Sequence, residues 1–325
     1  MCIPGTAMSR YINFYTDFAF KKIFGTEANK DLLISFLNCL LDLQGDKEIE
    51  DLTYLNSEQL GEAASERRAI YDVYCRTAEG ERFIVEMQKA EQDHFIDRSI
   101  YYSSFAIREQ AQRGAVDKKP WDYSLSSVYV VGILNFEMDE TKERSNKVIT
   151  RVKLKDDENR DFSDKLNFIF LEMPKFRKKD SELKTLMDKW LYVIKNLYQL
   201  ESEPSALTEG IFHQLFKIAE IAAFTKEERY DYEESLKNFR DLYNTLSTAE
   251  RKGIAKGRKE GRKEGEAIGM QKGRAEGRKE GEAIGIAKGE REASLRNAKN
   301  LKTLGVDIET IVKATGLTKA EIEKL

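Results

Sequence analysis

The pattern of apolar and polar positions predicts a mixed sheet flanked by helices. Apolar residues at helical spacing alternate along the chain with short runs rich in β-branched residues, which are typical of strands. The predicted elements, in chain order, are a helical region at 15–43, a strand at 49–55, strands at 70–75 and 82–88, a helix at 91–112, strands at 127–136 and 166–173, and helices throughout 181–246. Helices before, between and after the strands predict an α/β fold.

Two of these strands form a predicted hairpin with acidic side chains at interior positions. Because side chains alternate along the strand at 82–88, Glu86 and Gln88 share one face. A turn centred on Glu79 would place Asp72 opposite Glu86, in the middle of the sheet. Two carboxylates among residues that otherwise pack in a core cost several kcal/mol unless a further group neutralises them.

A divalent cation is one way to neutralise this pair. The carboxylates of Asp72 and Glu86 suit Mg²⁺, with Mn²⁺ or Ca²⁺ as substitutes, better than zinc or copper. Such an ion polarises a phosphoryl oxygen and lowers the pKa of a bound water. Gln88 would then orient the attacking water or the phosphate by hydrogen bonding. The alternative is a half-exposed hairpin in which the two carboxylates pair with Arg67, Arg68 or Arg82.

The composition changes abruptly beyond residue 249. Glycine occupies every fourth position from 253 to 289, and the nine residues from Gly261 recur word for word from Gly277. On a helix these glycines form a stripe that lets another helix approach, but each costs about 1 kcal/mol of helix stability relative to alanine. The segment is therefore either a helix ordered by self-association, which makes the protein a homo-oligomer, or a flexible low-complexity linker.

These changes in pattern predict four regions. They are a sheet-containing core at 1–175, a helical extension at 176–249, the glycine-periodic segment at 250–292, and a small helical hairpin at 293–325. In the last region, Thr318 and Glu321 have the spacing of a capping box.

Charge and cysteine content narrow the class of protein. Three scattered cysteines and two histidines argue against a disulfide framework and a structural zinc site. No apolar run reaches the length of a membrane span or a signal peptide, which predicts a cytoplasmic protein without a membrane partner. From residue 250 onward, 19 Lys and Arg accompany 13 Asp and Glu. A basic tail on an acidic body favours a polyanionic partner, although interleaved charges equally suit a solvated helix.

The hairpin and three other segments resemble a known nuclease family. Asp72 followed by Glu86-Met87-Gln88 is similar to the PD-(D/E)XK nuclease motif in its Glu-x-Gln form. The segments 16–25, 98–102 and 128–136 narrow the resemblance to the Rpn family of recombination-promoting nucleases and transposases, over roughly residues 10–250. The resemblance implies a restriction-endonuclease-like core and Mg²⁺-dependent cleavage of DNA.

The resemblance also implies roles for individual residues. Asp72 and Glu86 would be metal ligands, with the main-chain carbonyl of Met87 as a third. Gln88 would fill the position of the usual lysine, and Asp17 would be an accessory acid from the first helix. The expected function is a DNA endonuclease that promotes recombination or transposition. The alternative is a catalytically weak or silent module of the same fold that binds DNA or protein, since Gln88 lacks the lysine charge.

Overall fold

The computed structural model describes residues 9–59, 69–111, 123–138 and 145–325 of the chain. The chain forms two compact units, Met1–Tyr243 and Asn244–Leu325. The first unit contains a six-stranded mixed sheet flanked by helices. This architecture confirms the α/β, restriction-endonuclease-like fold that the sequence predicts.

The described residues contain eight α-helices and eight strands. The helices are α1 (Asp17–Phe24), α2 (Lys30–Leu41), α3 (Phe95–Arg108), α4 (Leu186–Asn196), α5 (Gly210–Ala219), α6 (Lys226–Thr303), α7 (Ile308–Thr315) and α8 (Lys319–Glu323). The strands are β1 (Thr53–Tyr54), β2 (Glu58–Gln59), β3 (Ala69–Ile70), β4 (Val73–Arg76), β5 (Arg82–Gln88), β6 (Val128–Leu134), β7 (Ile149–Lys155) and β8 (Asp161–Glu172). None of the helices in this part of the chain is long and apolar enough to cross a membrane.

The sheet has the strand order β1-β4-β5-β6-β8-β7, and β2 and β3 form a separate two-stranded pair. Strands β4 and β5 are an antiparallel hairpin, β5, β6 and β8 are parallel, and β7 is antiparallel to β8. The three parallel strands are in register at their ends, where Gln88 aligns with Leu134 and Leu134 with Glu172. Their carboxyl ends therefore form one common edge of the sheet.

Hydrophobic side chains cover both faces of the sheet. On one face, Phe83 of β5 belongs to a core that includes α1, α2, α4 and α5, and Trp190 of α4 lies 5.9 Å from Phe24 of α1 between ring centroids. On the other face, α3 contributes Phe95, whose ring centroid is 5.4 Å from that of Phe170 in β8. Buried aromatic side chains of this kind contribute several kcal/mol each, so both helical layers hold β5 rigidly between them.

The two edge strands of the sheet differ from the sequence prediction. The predicted first strand at 49–55 is reduced to the two residues of β1. The second edge strand, β7, is not among the strands predicted from the sequence. Its side chains are half-buried or exposed, and it therefore lacks the strong apolar signal of a buried strand.

The second unit is helical. The glycine-periodic segment lies within α6, and the residues after it form α7 and α8 around a small apolar cluster of Ala298, Ile311, Leu317 and Ile322. The predicted capping box is present, since the Glu321 amide donates to the Thr318 side chain and the Thr318 amide donates to the Glu321 carboxylate. The region boundaries at 175, 249 and 292 stay predictions.

Candidate active site

The predicted hairpin is present with the predicted register. Val73 of β4 aligns with Val85 of β5, which centres the turn on Glu79. Continuing this register by one residue brings Asp72 next to Glu86. The local sequence is sufficient for this outcome, because turn position and two-residue alternation together fix the pairing of a short hairpin.

Asp72 lies in a bend, which corrects its predicted mid-strand position. The predicted strand at 70–75 is divided, with β3 paired to β2 and β4 paired to β5. In the bend, Oδ2 of Asp72 accepts a hydrogen bond from the Met87 amide at 2.8 Å. The Asp72 amide donates to Oε1 of Glu86 at 3.3 Å. These reciprocal bonds replace regular ladder bonds and hold the two carboxyl groups side by side.

A chain of hydrogen bonds continues from Glu86 to an arginine on α3. Nε2 of Gln88 donates to Oε2 of Glu86 at 3.1 Å, and Oε1 of Gln88 accepts from Nη2 of Arg98 at 2.7 Å. Glu86 and Gln88 are each 9% exposed, and both line a small pocket beside Phe95 and Tyr102. The structure thus confirms that Glu86 and Gln88 share a face. Arg98 fixes the direction in which the Gln88 amide points.

The two acidic groups are strongly perturbed. Burial and the neighbouring Asp72 raise the pKa of Glu86 to about 8, against the opposing effects of the Asp72 amide, the Arg98 charge and the hydrogen bond from Gln88. Burial also raises the pKa of Asp72. Among the described residues, no Lys, Arg or His lies within 4.0 Å of either carboxylate as an ion-pair partner. Two adjacent carboxyl groups, one buried and one half-buried, resist simultaneous ionisation when no cation pairs with either of them directly.

Asp17 lies at the start of α1, close enough to Asp72 to raise the pKa of that carboxyl. Its direct partner is Lys89, whose Nζ is 2.7 Å from Oδ1 of Asp17. Lys89 follows the last residue of β5 and, with Lys21 of α1, lowers the pKa of Asp72. The predicted accessory acid is therefore beside the site, within a small group of charges that acts on Asp72.

The alternative pairing with arginines is not seen at Arg82. Its Nε lies 3.8 Å from the Glu109 carboxylate, and its Nη1 donates to the carbonyl of Gly80 at 3.0 Å. Arg67 and Arg68 lie outside the described residues. In the described part of the chain, the Asp72–Glu86 pair therefore has neighbouring hydrogen-bond donors but no adjacent cation.

The donor set fits a hard divalent ion bound partly by water and substrate. Nowhere in residues 9–59, 69–111, 123–138 and 145–325 are three or more His, Cys, Asp or Glu side chains grouped to hold a metal. Mg²⁺ needs fewer protein ligands, because it keeps several waters and takes one or two carboxylates together with substrate phosphate. The Asp72–Glu86 pair, which has no ion-pair partner in the described part of the chain, meets that requirement.

Arg98 is the residue whose place in the site the sequence did not predict. From the sequence it is equally a phosphate contact or a cation on a solvated helix face. It lies in the first turn of α3, ten residues after Gln88, and only the packing of α3 on the sheet brings it to the Gln88 amide. Its membership of the segment 98–102, which contributes to the family resemblance, was the available signal.

A mixed sheet whose central hairpin carries this Asp, Glu-x-Gln site defines a nuclease of the PD-(D/E)XK class. A family model described as PD-(D/E)XK nuclease family transposase matches residues 14–249, and the chain therefore belongs to this family. Membership supports a nuclease-type function and implies DNA as substrate, and nucleases of this class generally use divalent metals. No curated protein and no solved structure is found to match the chain.

Proposed function

We propose that this protein is a Mg²⁺-dependent DNA endonuclease that hydrolyses phosphodiester bonds and promotes recombination or transposition. The observation that supports the proposal is the pair of half-buried Asp72 and buried Glu86, which has no ion-pair partner among the described residues and lies inside the region that matches the nuclease family. Asp72, Glu86 and the Met87 carbonyl would hold the ion. When bound, Mg²⁺ would polarise the phosphoryl oxygen and offset the charge that develops during cleavage.

Gln88 positions the reacting groups in this proposal. One of its amide hydrogens is used by Glu86, and the other, which has no acceptor among the described residues, would hold the attacking water or a phosphate oxygen. A neutral amide stabilises developing negative charge less than a lysine does. Arg98, bonded to the other end of the same amide, brings a positive charge to the pocket. Asp17 would act as the accessory acid, oriented by Lys89.

Cleavage of supercoiled plasmid tests the proposed function. The wild-type protein is expected to nick or linearise the plasmid with Mg²⁺, and with Mn²⁺ as a substitute, and to lose this activity in EDTA. The Glu86→Ala variant is expected to be inactive under the same conditions. Equal cleavage by the two proteins would mean that a contaminating nuclease or a different site is responsible.

A catalytically silent module is the second candidate function, because Gln88 stands in place of the lysine. Protein that binds DNA with a steep salt dependence, yet cuts nothing with Mg²⁺ or Mn²⁺, would favour it. The cytoplasmic location stays a prediction from the sequence.

Arg98→Gln is expected to lower kcat about 100-fold, as does the loss of one preorganised donor at other active sites. Arg98→Lys keeps the charge without the guanidinium geometry and should retain intermediate activity. Because Arg98 lowers the pKa of Glu86, the acidic limb of the pH–rate profile should move to higher pH in Arg98→Gln. The matched control is Arg108→Gln, on an exposed side chain of the same helix. If the pH–rate profile of Arg98→Gln does not shift, Arg98 has only a structural role.

We also propose that the glycine-periodic segment mediates self-association. At each of its ten glycines, an added Cβ would meet no atom within 4 Å, so the surface along the stripe is open. Large apolar residues flank Gly269 and Gly285 and are exposed to solvent: Ile268, Met270, Ile284 and Ile286. Small residues bordered by exposed apolar side chains suit close packing against a second copy of the helix.

Replacing Gly269 and Gly285 by leucine is expected to convert the oligomer to a monomer, measured by size exclusion with light scattering. The substitutions should stabilise the isolated helix by about 1 kcal/mol each. A loss of self-association would therefore mean that the leucine side chains keep the two helices apart, not that the helix is destabilised. The control is leucine at Ala267 and Ala283, two residues away and on another side of the helix. An unchanged oligomeric state, or a wild-type protein that is already monomeric, would contradict the proposed role.

A further inference from the structure

A strongly basic cleft lies beyond the end of β8, apart from the Asp72–Glu86 site. Arg177, Lys178 and Lys179 follow β8, and Lys195 of α4 lies with them around a cavity of about 360 Å³. We call these four side chains and the cavity between them the basic cleft. Among the described residues that line it, Asp180 is the one acid. Four cations therefore share the space with a single carboxylate.

The charges of the basic cleft are only partly neutralised by the protein. Lys178 pairs with Asp188 at 2.7 Å, whereas Arg177 and Lys179 have no ion-pair partner within 4.0 Å in the described part of the chain. The Lys195 amine is anchored by the carbonyls of Pro174 and Phe176. Burial and the Arg177 charge lower the pKa of Lys195. Like charges held this close repel one another, and an anion bound between them would relieve the repulsion.

The loop that carries Arg177, Lys178 and Lys179 begins at the edge of the sheet that carries the candidate active site, whereas α4 with Lys195 packs on the face opposite to α3. Gln88 is aligned through β6 with Glu172, the last residue of β8. Adjacent strands are about 4.8 Å apart, so the ends of β5 and β8 are separated by roughly 10 Å. DNA rises about 3.4 Å per nucleotide along each strand, and this separation therefore corresponds to about three nucleotides. A DNA strand with its scissile phosphate at Glu86 would therefore have further phosphates near the end of β8, from which the chain continues into the loop with Arg177, Lys178 and Lys179.

We propose that the basic cleft binds a backbone phosphate of the DNA that enters the candidate active site. The inference rests on the proposed function, since it takes DNA as the substrate. Three consecutive exposed cations, Arg177, Lys178 and Lys179, are a composition typical of nucleic-acid contacts. Phosphate contacts of this kind fix the register of a protein on DNA without reading its sequence. A free phosphate shares the chemistry, and the test distinguishes the two sources.

The test compares DNA binding by full-length wild type, by Arg177→Gln/Lys179→Gln, and by the control Lys47→Gln/Lys217→Gln. The control removes two exposed lysines outside the cleft, so net charge falls equally in the two variants. Anisotropy of a short labelled duplex is recorded in EDTA over a series of salt concentrations, so that cleavage does not interfere. For the cleft variant, affinity is expected to fall about tenfold, and the slope of log K against log salt to drop by about 1, since the loss of one phosphate contact removes about 0.9.

The outcomes separate this inference from the proposed function. If wild type cuts plasmid but the cleft variant and the control bind DNA alike, the inference is overturned and the nuclease proposal stands. If wild type cuts nothing yet binding falls only in the cleft variant, the phosphate site is supported and the nuclease proposal fails. Inorganic phosphate is the second probe. A thermal stabilisation by phosphate that is lost in the cleft variant, with unchanged DNA affinity, would assign the cleft to a free anion and overturn the DNA assignment.

Discussion

Asp72→Asn is expected to reduce Mg²⁺-dependent DNA cleavage at least about a thousandfold, because a metal contributes several kcal/mol of transition-state stabilisation. The substitution removes one of the two carboxylate charges that would hold the ion. It keeps a side-chain oxygen that can accept the hydrogen bond from the Met87 amide. The fold should therefore persist, which makes Asp72→Asn a cleaner probe than truncation.

Glu86→Ala is expected to cause a similar loss of activity, together with some loss of stability. Glu86 accepts hydrogen bonds from the Asp72 amide and from Gln88, and alanine leaves both donors without this acceptor, at a cost of about 1–3 kcal/mol for each buried group. The control is Glu79→Ala, at an exposed position in the turn of the same hairpin. Circular dichroism checks the fold of all three variants. Plasmid cleavage by folded Asp72→Asn at the wild-type rate would remove Asp72 from the proposed metal site.

The metal-free protein is expected to lose thermal stability as pH rises from about 5 to about 8. The pKa of Glu86 is about 8 in the folded protein, against its ordinary value of 4.5. Between these values the folded state binds more protons than the unfolded state, so raising the pH favours unfolding. The stabilisation from the neutral carboxyl is complete below pH 4.5 and lost above pH 8. Scanning calorimetry in EDTA measures this dependence, and Glu86→Gln should flatten it within the same window.

Added Mg²⁺ is expected to reverse the trend. Metal binding needs the deprotonated carboxylates, so the increase in Tm caused by Mg²⁺ should be larger at pH 8 than at pH 6. A ligand at one hundred times its Kd stabilises the folded state by about 2.7 kcal/mol. Asp72→Asn should respond much less to the ion. This readout does not depend on cleavage, and equal stabilisation of wild type and variant by Mg²⁺ would place the ion elsewhere.

The structure changes the effect on activity that is expected from Gln88. As a neutral residue in the usual lysine position, it suggests a weakened site. The structure shows that its amide oxygen is bonded to Arg98 at 2.7 Å. The amide and the guanidinium form one unit against Glu86, so the charge that is missing at residue 88 is present on the neighbouring helix.

The sequence by itself determined the hairpin register, the shared face of Glu86 and Gln88, and the nuclease family. These features follow from local chemistry, since two-residue alternation and the position of one turn fix which side chains meet. The family resemblance rests on short segments, each of which is recognisable from its own sequence without knowledge of the tertiary structure. For the same reason the capping box at Thr318 was predictable from four consecutive residues.

Only the tertiary structure decided the bend at Asp72, the contact between Arg98 and Gln88, and the gathering of Lys195 with the basic run after β8. The bend depends on β3 pairing with β2, and the Tyr71 amide bonds to the distant carbonyl of Ser57 at 2.9 Å. The other two features depend on helices packed against opposite faces of the sheet. Contacts between residues that are far apart in sequence are set by the burial of whole surfaces, and no local pattern records them.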